Sequence, residues 1–270
     1  MAAAAAERSV IMANPVMSEK RFARSLADNA GEFGHDAVMT VEGTVVRGLF
    51  LALVLVGAAF WPWSVFFNEY TPGAETAPNM AGFIVAGALA GLVLSLLVSF
   101  IPKTAPYLAV PYAFCEGVCL GGLSAQFEAS YPGIVIQAAA GTFGVLLVML
   151  SLYAFGIIKA TAKLRAVLLG AGGAVFLFYM VAMLLGLFGV RPAFINEMLY
   201  GSGLLGLGFN IVVCLVAAFY LILDFDMVET GAAMGAPKYM SWYAAFALLV
   251  TLVWLYLEIL KLLARSRGRD

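Results

Sequence analysis

The segment Leu252-Val-Trp-Leu-Tyr-Leu-Glu-Ile-Leu-Lys-Leu-Leu263 surrounds one carboxylate, Glu258, with apolar residues on both sides. The segment Tyr220-Leu-Ile-Leu-Asp-Phe-Asp-Met-Val-Glu229 carries Asp224 and Asp226 at the end of a second apolar run, and Glu116 lies inside a third. An ionised side chain at the centre of a bilayer costs roughly 2.5–3.5 kcal/mol, so such residues usually face a bundle interior or a water path. These four carboxylates are therefore the candidate functional residues.

The composition indicates a membrane protein. Hydrophobic residues make up 63% of the 270, charged residues make up 11%, and the mean hydropathy is +0.98, which no ordinary soluble domain shows. Runs of about 20 apolar residues, enough to cross roughly 30 Å of hydrocarbon, predict an all-α integral membrane protein with seven transmembrane helices. The predicted spans are residues 47–67, 81–101, 105–127, 132–158, 164–189, 198–223 and 242–263.

The residues before the first span differ from the rest. Residues 1–46 hold ten charges and no long apolar run, which predicts a flexible tail without a secretory signal. The predicted organisation is this cytoplasmic tail, a seven-helix transmembrane domain over residues 47–265, and a C-terminal tail over residues 266–270.

Lysine and arginine in the short loops predict the orientation, because cytoplasmic loops carry an excess of both. The opposite loops hold only Arg191. A multi-pass protein with a cytoplasmic N-terminus follows, and we expect it in the cell (inner) membrane. The ten residues that define the cytoplasmic side are Arg8, Lys20, Arg21, Arg24, Arg47, Lys103, Lys159, Lys163, Arg165 and Lys238.

The seventh span leaves two topologies open. A full crossing places the basic residues Arg265, Arg267 and Arg269 outside, against the charge rule, whereas a re-entrant segment returns them to the cytoplasm. We favour the full crossing, because charges this late in a chain orient it weakly.

Glycines recur at spacings that predict close helix packing, as in Gly87 with Gly91 and Gly117 with Gly121. The denser stretch 201–208 allows two interpretations: close packing, or an unwound start to the sixth span. Cys115 and Cys119 share a helix face, but with a single histidine in the chain we predict buried thiols and no metal site.

The geometry of a helix separates the acids of the sixth span. Side chains two residues apart point about 200° apart, so Asp224 and Asp226 cannot face the same seam. Asn210, fourteen residues before Asp224, lies on nearly the same face, which favours Asp224 as the inward acid and Asp226 as a rim charge.

The other two acids keep alternatives. Lys261 follows Glu258 by one turn, so the two form a structural ion pair or Glu258 titrates or handles ions, and we favour the second. Glu116 is either protonated and packed by hydrogen bonds or exposed to a cavity. Glu116, Asn210, Asp226 and Lys261 are candidate polar groups of a pore or cavity.

Two stretches, Phe219-Tyr-Leu-Ile-Leu-Asp-Phe-Asp-Met-Val228 and Trp254-Leu-Tyr-Leu-Glu-Ile-Leu-Lys-Leu-Leu263, resemble the last two helices of the Bax inhibitor-1 (transmembrane Bax inhibitor motif) family. Tyr112-Ala-Phe-Cys-Glu-Gly117 is similar to a segment of its third helix, and the seven-helix layout agrees over roughly residues 47–265. Bacterial members look like pH-sensitive calcium leak channels. The resemblance therefore implies a pH-sensitive leak channel or transporter with calcium as the permeant ion.

The resemblance also implies a gate. In the family, two acids are thought to share a proton and to form a latch over a cytoplasm-facing pore, and Asp224 and Glu258 take their places here. Glu258 replaces an aspartate, the separation of 34 residues exceeds the usual two dozen or so, and only Lys103 stands near the family's basic residue. If the seventh span begins at Trp242, Glu258 lies about 24 Å deeper and the acids cannot touch. The pairing requires a crossing that begins near Thr251.

Other functions are weighed against this one. A non-conducting regulator would bind a membrane protease or stress-response proteins through the N-terminal tail, which contains Asn14-Pro-Val-Met-Ser18. An intramembrane aspartyl protease lacks its Gly-x-Gly-Asp motif, since Gly206-Leu-Gly-Phe209 carries no acid, and Lys261 is a poor site for a retinal Schiff base. We therefore predict no enzyme activity, no cofactor, membrane lipid as a partner and no nucleic-acid partner.

Overall fold

The computed structural model describes residues 38–70, 78–190, 192–201 and 203–268. Seven of the helices in these ranges, all but the short α6, are long and apolar enough to cross a membrane. The predicted fold class, an all-α membrane protein with seven spans, is confirmed. The helices are α1 (Val41–Glu69), α2 (Ala81–Phe100), α3 (Ala105–Ser130, after a 3-10 turn Pro102–Thr104), α4 (Ile134–Ala154), α5 (Ala162–Leu187), α6 (Ala193–Tyr200), α7 (Leu204–Ala233) and α8 (Tyr239–Arg267).

Helix α1 begins at Val41, six residues before the predicted span. Thr40 caps it, because its Oγ1 accepts a hydrogen bond from the N–H of Gly43 at 3.0 Å. Met39 is buried, and its N–H donates to the carbonyl of Ala236 at 2.6 Å. The helix therefore extends into a stretch that composition assigns to the tail. Residues 1–37, including the segment 14–18, lie outside the described residues.

The predicted sixth span contains a helix break. Helix α6 ends at Tyr200, Gly201 is extended, and α7 begins at Leu204. Gly206 lies inside α7, where an added Cβ would lie 2.7 Å from the carbonyl oxygen of Glu197. The glycine-rich stretch thus shows both predicted features. Its first glycines lie in the non-helical connection between α6 and α7, and Gly206 allows close packing.

The chain divides into two compact units. The N-terminal unit comprises the described residues of 38–135 and 227–250, and the C-terminal unit comprises those of 136–226 and 251–268. In the N-terminal unit α3 packs closely on α1, since a Cβ added at Gly117 would lie 2.9 Å from Cβ of Ala58. A Cβ at Gly87 of α2 would likewise lie 2.8 Å from the backbone nitrogen of Cys119. These glycines pack backbone against backbone, as their spacing predicts.

The C-terminal unit has its core around Tyr220 of α7, which packs with Leu168, Val216 and Leu223. The Tyr220 hydroxyl donates to the carbonyl of Leu168 at 3.0 Å. Gly172 leaves room for the ring, because an added Cβ would lie 2.8 Å from Cζ of Tyr220. Helices α5 and α7 are thereby held together along one seam.

Helices α7 and α8 run antiparallel within the C-terminal unit. Trp254 stacks edge-on against Tyr220 with ring centroids 5.8 Å apart, Glu258 contacts Asn210, and Arg265 contacts Gly206. Later residues of α8 thus meet earlier residues of α7. Helix α8 continues without a break for 29 residues, which leaves no turn at which the chain could re-enter and favours a full crossing.

Candidate functional site

Glu258 lies at the centre of a buried polar cluster formed by α5, α7 and α8. Its side chain is 2% exposed. Oε1 accepts hydrogen bonds from Nζ of Lys261 at 2.5 Å and from the Tyr179 hydroxyl at 3.0 Å. Oε2 accepts from Nδ2 of Asn210 at 2.7 Å. Tyr179, Asn210, Glu258 and Lys261 are called the Glu258 cluster below.

Lys261 is the positive charge of the cluster. It follows Glu258 at i+3 on α8, so the two side chains share a face of the helix. Its Nζ also donates to the Tyr179 hydroxyl at 3.1 Å and lies 5.0 Å from the centroid of that ring. Charge-assisted hydrogen bonds of this kind are stronger than neutral ones. The carboxylate charge is therefore balanced by one ammonium group inside the helix bundle.

Asn210 completes the cluster from α7. Its side chain is 1% exposed, and Nδ2 donates to both Oε2 and the backbone carbonyl of Glu258. These two bonds fix the orientation of the amide, since only the NH₂ group can donate. The other amide atom, Oδ1, is buried and has no hydrogen-bond partner among the described residues. One strong acceptor is thus left unsatisfied beside Glu258.

A cleft of about 520 Å³ opens beside the cluster, and Tyr179 and Lys261 form part of its wall. Apolar residues such as Met183 and Ile195 line much of the rest, together with Asn196. The Lys261 side chain is 31% exposed, whereas Glu258 is buried behind it. Lys261 therefore separates the carboxylate from the cleft.

Arg265, one turn beyond Lys261, holds the end of α6. Its Nη2 donates to the carbonyls of Met198, at 2.9 Å, and Leu199, and its Nη1 donates to the carbonyl of Gly206. The last carbonyls of a helix lack partners within the helix and carry partial negative charge, so a cation stabilises them. Arg267 donates to Oε1 of Gln137 at 2.8 Å. Arg265 and Arg267 therefore have structural roles, although a full crossing of α8 places them on the side where the charge rule expects few cations.

The two acids of α7 lie in different surroundings. Asp224 is fully buried. The Asp226 side chain is 20% exposed and forms an ion pair with Arg165 of α5, whose side chain is 16% exposed. The sequence placed Arg165 among the cytoplasmic cations but did not predict this pair.

The structure corrects the predicted contact between Asp224 and Glu258. Asp224 lies fourteen residues after Asn210 on the unbroken helix α7, about 21 Å along its axis. Because Glu258 is bonded to Asn210, its carboxylate lies near that end of α7 and cannot bond to Asp224. The physical reason is the antiparallel packing of α7 and α8, which places Trp254 against Tyr220 and Glu258 against Asn210.

The separation along the chain leads to the same conclusion. At the spacing of about two dozen residues from Asp224 that the resemblance implies, the chain carries Leu248 and no acid. The latch of two acids is therefore wrong for this chain. Asp224 and Glu258 each remain predicted site residues, but not as a bonded pair.

Glu116 lies in the N-terminal unit, half-buried on α3. A Cβ added at Gly91 of α2 would lie 2.9 Å from its Oε2, so this glycine makes room for the carboxylate. Among the residues that the structure describes, no hydrogen bond or ion pair to this carboxylate is found. The hydrogen-bonded alternative for Glu116 thus has no support in the described residues.

Of the predicted polar residues, the structure brings together Asn210, Glu258 and Lys261. Tyr179 was not predicted, and no local signal marks it, because it meets Glu258 from 79 residues away in the chain. Arg165 and Arg265 were also missed as site-forming residues. Their partners are set by helix packing and by the position of α6, which sequence periodicity does not give.

The comparisons cover almost the whole chain. A family model described as Bax inhibitor 1 like matches residues 14–268, which include every helix described above. A comparison with curated proteins finds no match. With seven apolar spans and a family match of this extent, the chain belongs to the Bax inhibitor 1 like family of helical membrane proteins.

Proposed function

We propose that this protein passes cations across the membrane in a pH-dependent way, and that protonation of Glu258 controls the passage. The observation that supports this is the buried Glu258 carboxylate, which binds side chains from α5 and α7 as well as Lys261 of its own helix. A titratable group that ties several spans together can bias a two-state bundle.

The effect of the proton follows from the contacts. A protonated Glu258 carries no charge, so it no longer balances the ammonium group of Lys261. An unbalanced buried charge is costly, and Lys261 has the cleft beside it as a path to water. Loss of the ion pair weakens the link between α5, α7 and α8. We therefore expect the flux to rise as the pH falls.

Calcium is the proposed permeant ion because the resemblance to the Bax inhibitor-1 family implies a calcium leak channel. Calcium prefers six to eight oxygen ligands, more than the side chains of the Glu258 cluster offer. This supports passage with little retention, as in a leak, and not storage. Asp224 remains a predicted ion-gating residue, with its own place on α7 and no bond to Glu258, and the pH dependence is assigned to Glu258.

The test is calcium entry into liposomes that contain the purified protein and an enclosed calcium indicator, measured over a pH series. Wild type should show flux that rises with acidity, and Glu258→Gln should show flux that does not depend on pH. Glu69→Gln, which alters an exposed carboxylate at the end of α1, is the matched control and should behave as wild type. Wild-type flux equal to that of empty liposomes would reject the proposal.

The proposed location is the cell (inner) membrane, with a cytoplasmic N-terminus. The ten lysines and arginines that the sequence assigns to the cytoplasmic side support this orientation. Arg265, at the other end of α8, is bonded to backbone carbonyls, which accounts for a cation on the opposite side. Reagent accessibility of single cysteines placed at Lys103 and at Glu69 tests the orientation. Labelling of position 103 from the outside would reject it.

The regulator that the sequence offers as an alternative stays a prediction. Its binding segment falls in residues 1–37, which lie outside the described residues. Deleting residues 1–37 separates the two functions, because a channel should still leak ions and a tail-mediated regulator should lose its effect on the protease or stress response.

A further inference from the structure

We propose that Lys261 occupies a cation site, and that a monovalent metal cation such as sodium takes its place beside Glu258. The inference rests on the proposed function, because it concerns the same carboxylate. It adds a class of ligand, the monovalent metal cations, and it identifies the Lys261 side chain as a competitor for the same site.

The first step is the set of oxygen atoms that the Glu258 cluster offers to a cation. Nζ of Lys261 lies 2.5 Å from Oε1 of Glu258 and 3.1 Å from the hydroxyl oxygen of Tyr179. Oδ1 of Asn210 is a buried carbonyl oxygen with no hydrogen-bond donor among the described residues. Carboxylate, amide and hydroxyl oxygens are the ligands that hard cations prefer. The cluster thus already binds one cation, and that cation is tethered to the chain.

The second step is a path by which Lys261 leaves. Its side chain is 31% exposed and lines the cleft of about 520 Å³, while Glu258 and Asn210 are almost fully buried. Lysine carries its charge on a flexible four-carbon stem. The ammonium group can therefore swing into the cleft without any change in the backbone of α8, and it leaves its oxygen ligands in place.

The third step is the charge balance. The titratable or charged groups that face Glu258 are Tyr179 on α5, Cys214 on α7 and Lys261 on α8. Arg265 interacts electrostatically with Tyr179. A monovalent cation replaces the ammonium group charge for charge. A divalent cation would leave one uncompensated positive charge in a buried site, which is costly. The site therefore selects monovalent cations, and protons compete for the same carboxylate.

The consequence for the proposed function is a division of roles. Either sodium or a proton binds the Glu258 carboxylate in place of the Lys261 ammonium group. In both cases Lys261 moves into the cleft. Calcium is not retained at this position. Sodium should then shift the pH dependence of the flux, since it competes with the proton for Glu258.

The experiment measures binding and not flux. The unfolding temperature of the purified full-length protein in detergent is followed while sodium chloride replaces N-methyl-glucamine chloride at constant ionic strength. Lys261→Met keeps an apolar side chain of similar length and removes the tethered cation. The unfolding temperature of this variant should therefore rise by about 3–5 °C for each tenfold increase in sodium concentration above the dissociation constant. Lys261→Arg keeps the positive charge, and the double variant Lys261→Met with Glu258→Gln removes the site. The double variant should not respond to sodium, and Lys261→Arg should respond less than Lys261→Met because its tethered cation competes with sodium.

A second measurement uses the wild-type protein, in case Lys261→Met does not fold. The protein is treated with a water-soluble acetylating reagent that reacts with amines, and the acetylation of Lys261 is followed by mass spectrometry. Exposed Lys238 is the internal reference. Sodium should raise the ratio of Lys261 to Lys238 acetylation at least about twofold, because it displaces the amine into the cleft. An unchanged ratio, together with no sodium response of Lys261→Met, would overturn the inference. If calcium stabilised Lys261→Met at a concentration equal to or lower than that of sodium, the assignment of a monovalent cation would be overturned.

The two proposals fail separately. Normal pH-dependent calcium flux without any sodium effect rejects the cation site alone. Sodium binding in a protein that shows no calcium flux rejects the channel alone.

Discussion

Nδ2 of Asn210 lies 2.7 Å from Oε2 of Glu258, and this bond fixes the position of the α8 carboxylate along α7. Asp224 lies about 21 Å further along the same helix, so the two acids act at separate places. The candidate switch is therefore a carboxylate with a tethered lysine and not a pair of acids that share a proton.

Independence of the two acids can be measured by a double-mutant cycle. Asp224→Asn and Glu258→Gln should change the free energy of unfolding additively, within about 0.5 kcal/mol, because the residues are too far apart to interact. Asn210→Ala with Glu258→Gln should instead show a coupling energy of about 0.5–3 kcal/mol. Strong coupling between Asp224 and Glu258 would restore the latch.

Asn210 should matter for stability as well as for position. Asn210→Ala leaves Oε2 of Glu258 without its donor, and we expect a loss of about 1–3 kcal/mol in the free energy of unfolding. Denaturant titration in detergent measures it. Asn68→Ala, at an exposed position near the end of α1, is the control and should change the stability by less than about 0.5 kcal/mol.

The Tyr179 hydroxyl links Glu258 to α5. Tyr179→Phe keeps the ring near Lys261 and removes one donor to Oε1, so it should cost about 0.5–1.5 kcal/mol in stability and shift the pH at half-maximal flux. The exposed residue Tyr107 supplies the control Tyr107→Phe. A Tyr179→Phe protein with the stability and pH response of wild type would show that this bond has no role.

Arg265 should hold α6 in place. Arg265→Met removes the donors to the carbonyls of Met198, Leu199 and Gly206, so amide hydrogen exchange over residues 193–207 should become faster. Arg267→Gln tests whether the effect is specific, because the neighbouring cation Arg267 bonds to Gln137 of α4. Unchanged exchange in Arg265→Met would mean that α6 is held by its apolar contacts alone.

The sequence predicted the seven spans because each is an apolar run of sufficient length, and it placed Lys261 beside Glu258 because i+3 residues share a helix face. It left the depth of Glu258 open, since the polar and apolar residues at 238–242 do not show where α8 begins. Tyr179 could not be predicted at all. Its contact with Glu258 depends on how α5 packs against α8, which no local pattern encodes.

The most direct test of the account is the pH dependence of calcium flux through the Glu258→Gln protein in liposomes, compared with wild type. We predict that wild-type flux rises as the pH falls and that the flux of Glu258→Gln is the same at every pH. A Glu258→Gln protein that keeps the wild-type pH profile would contradict the account.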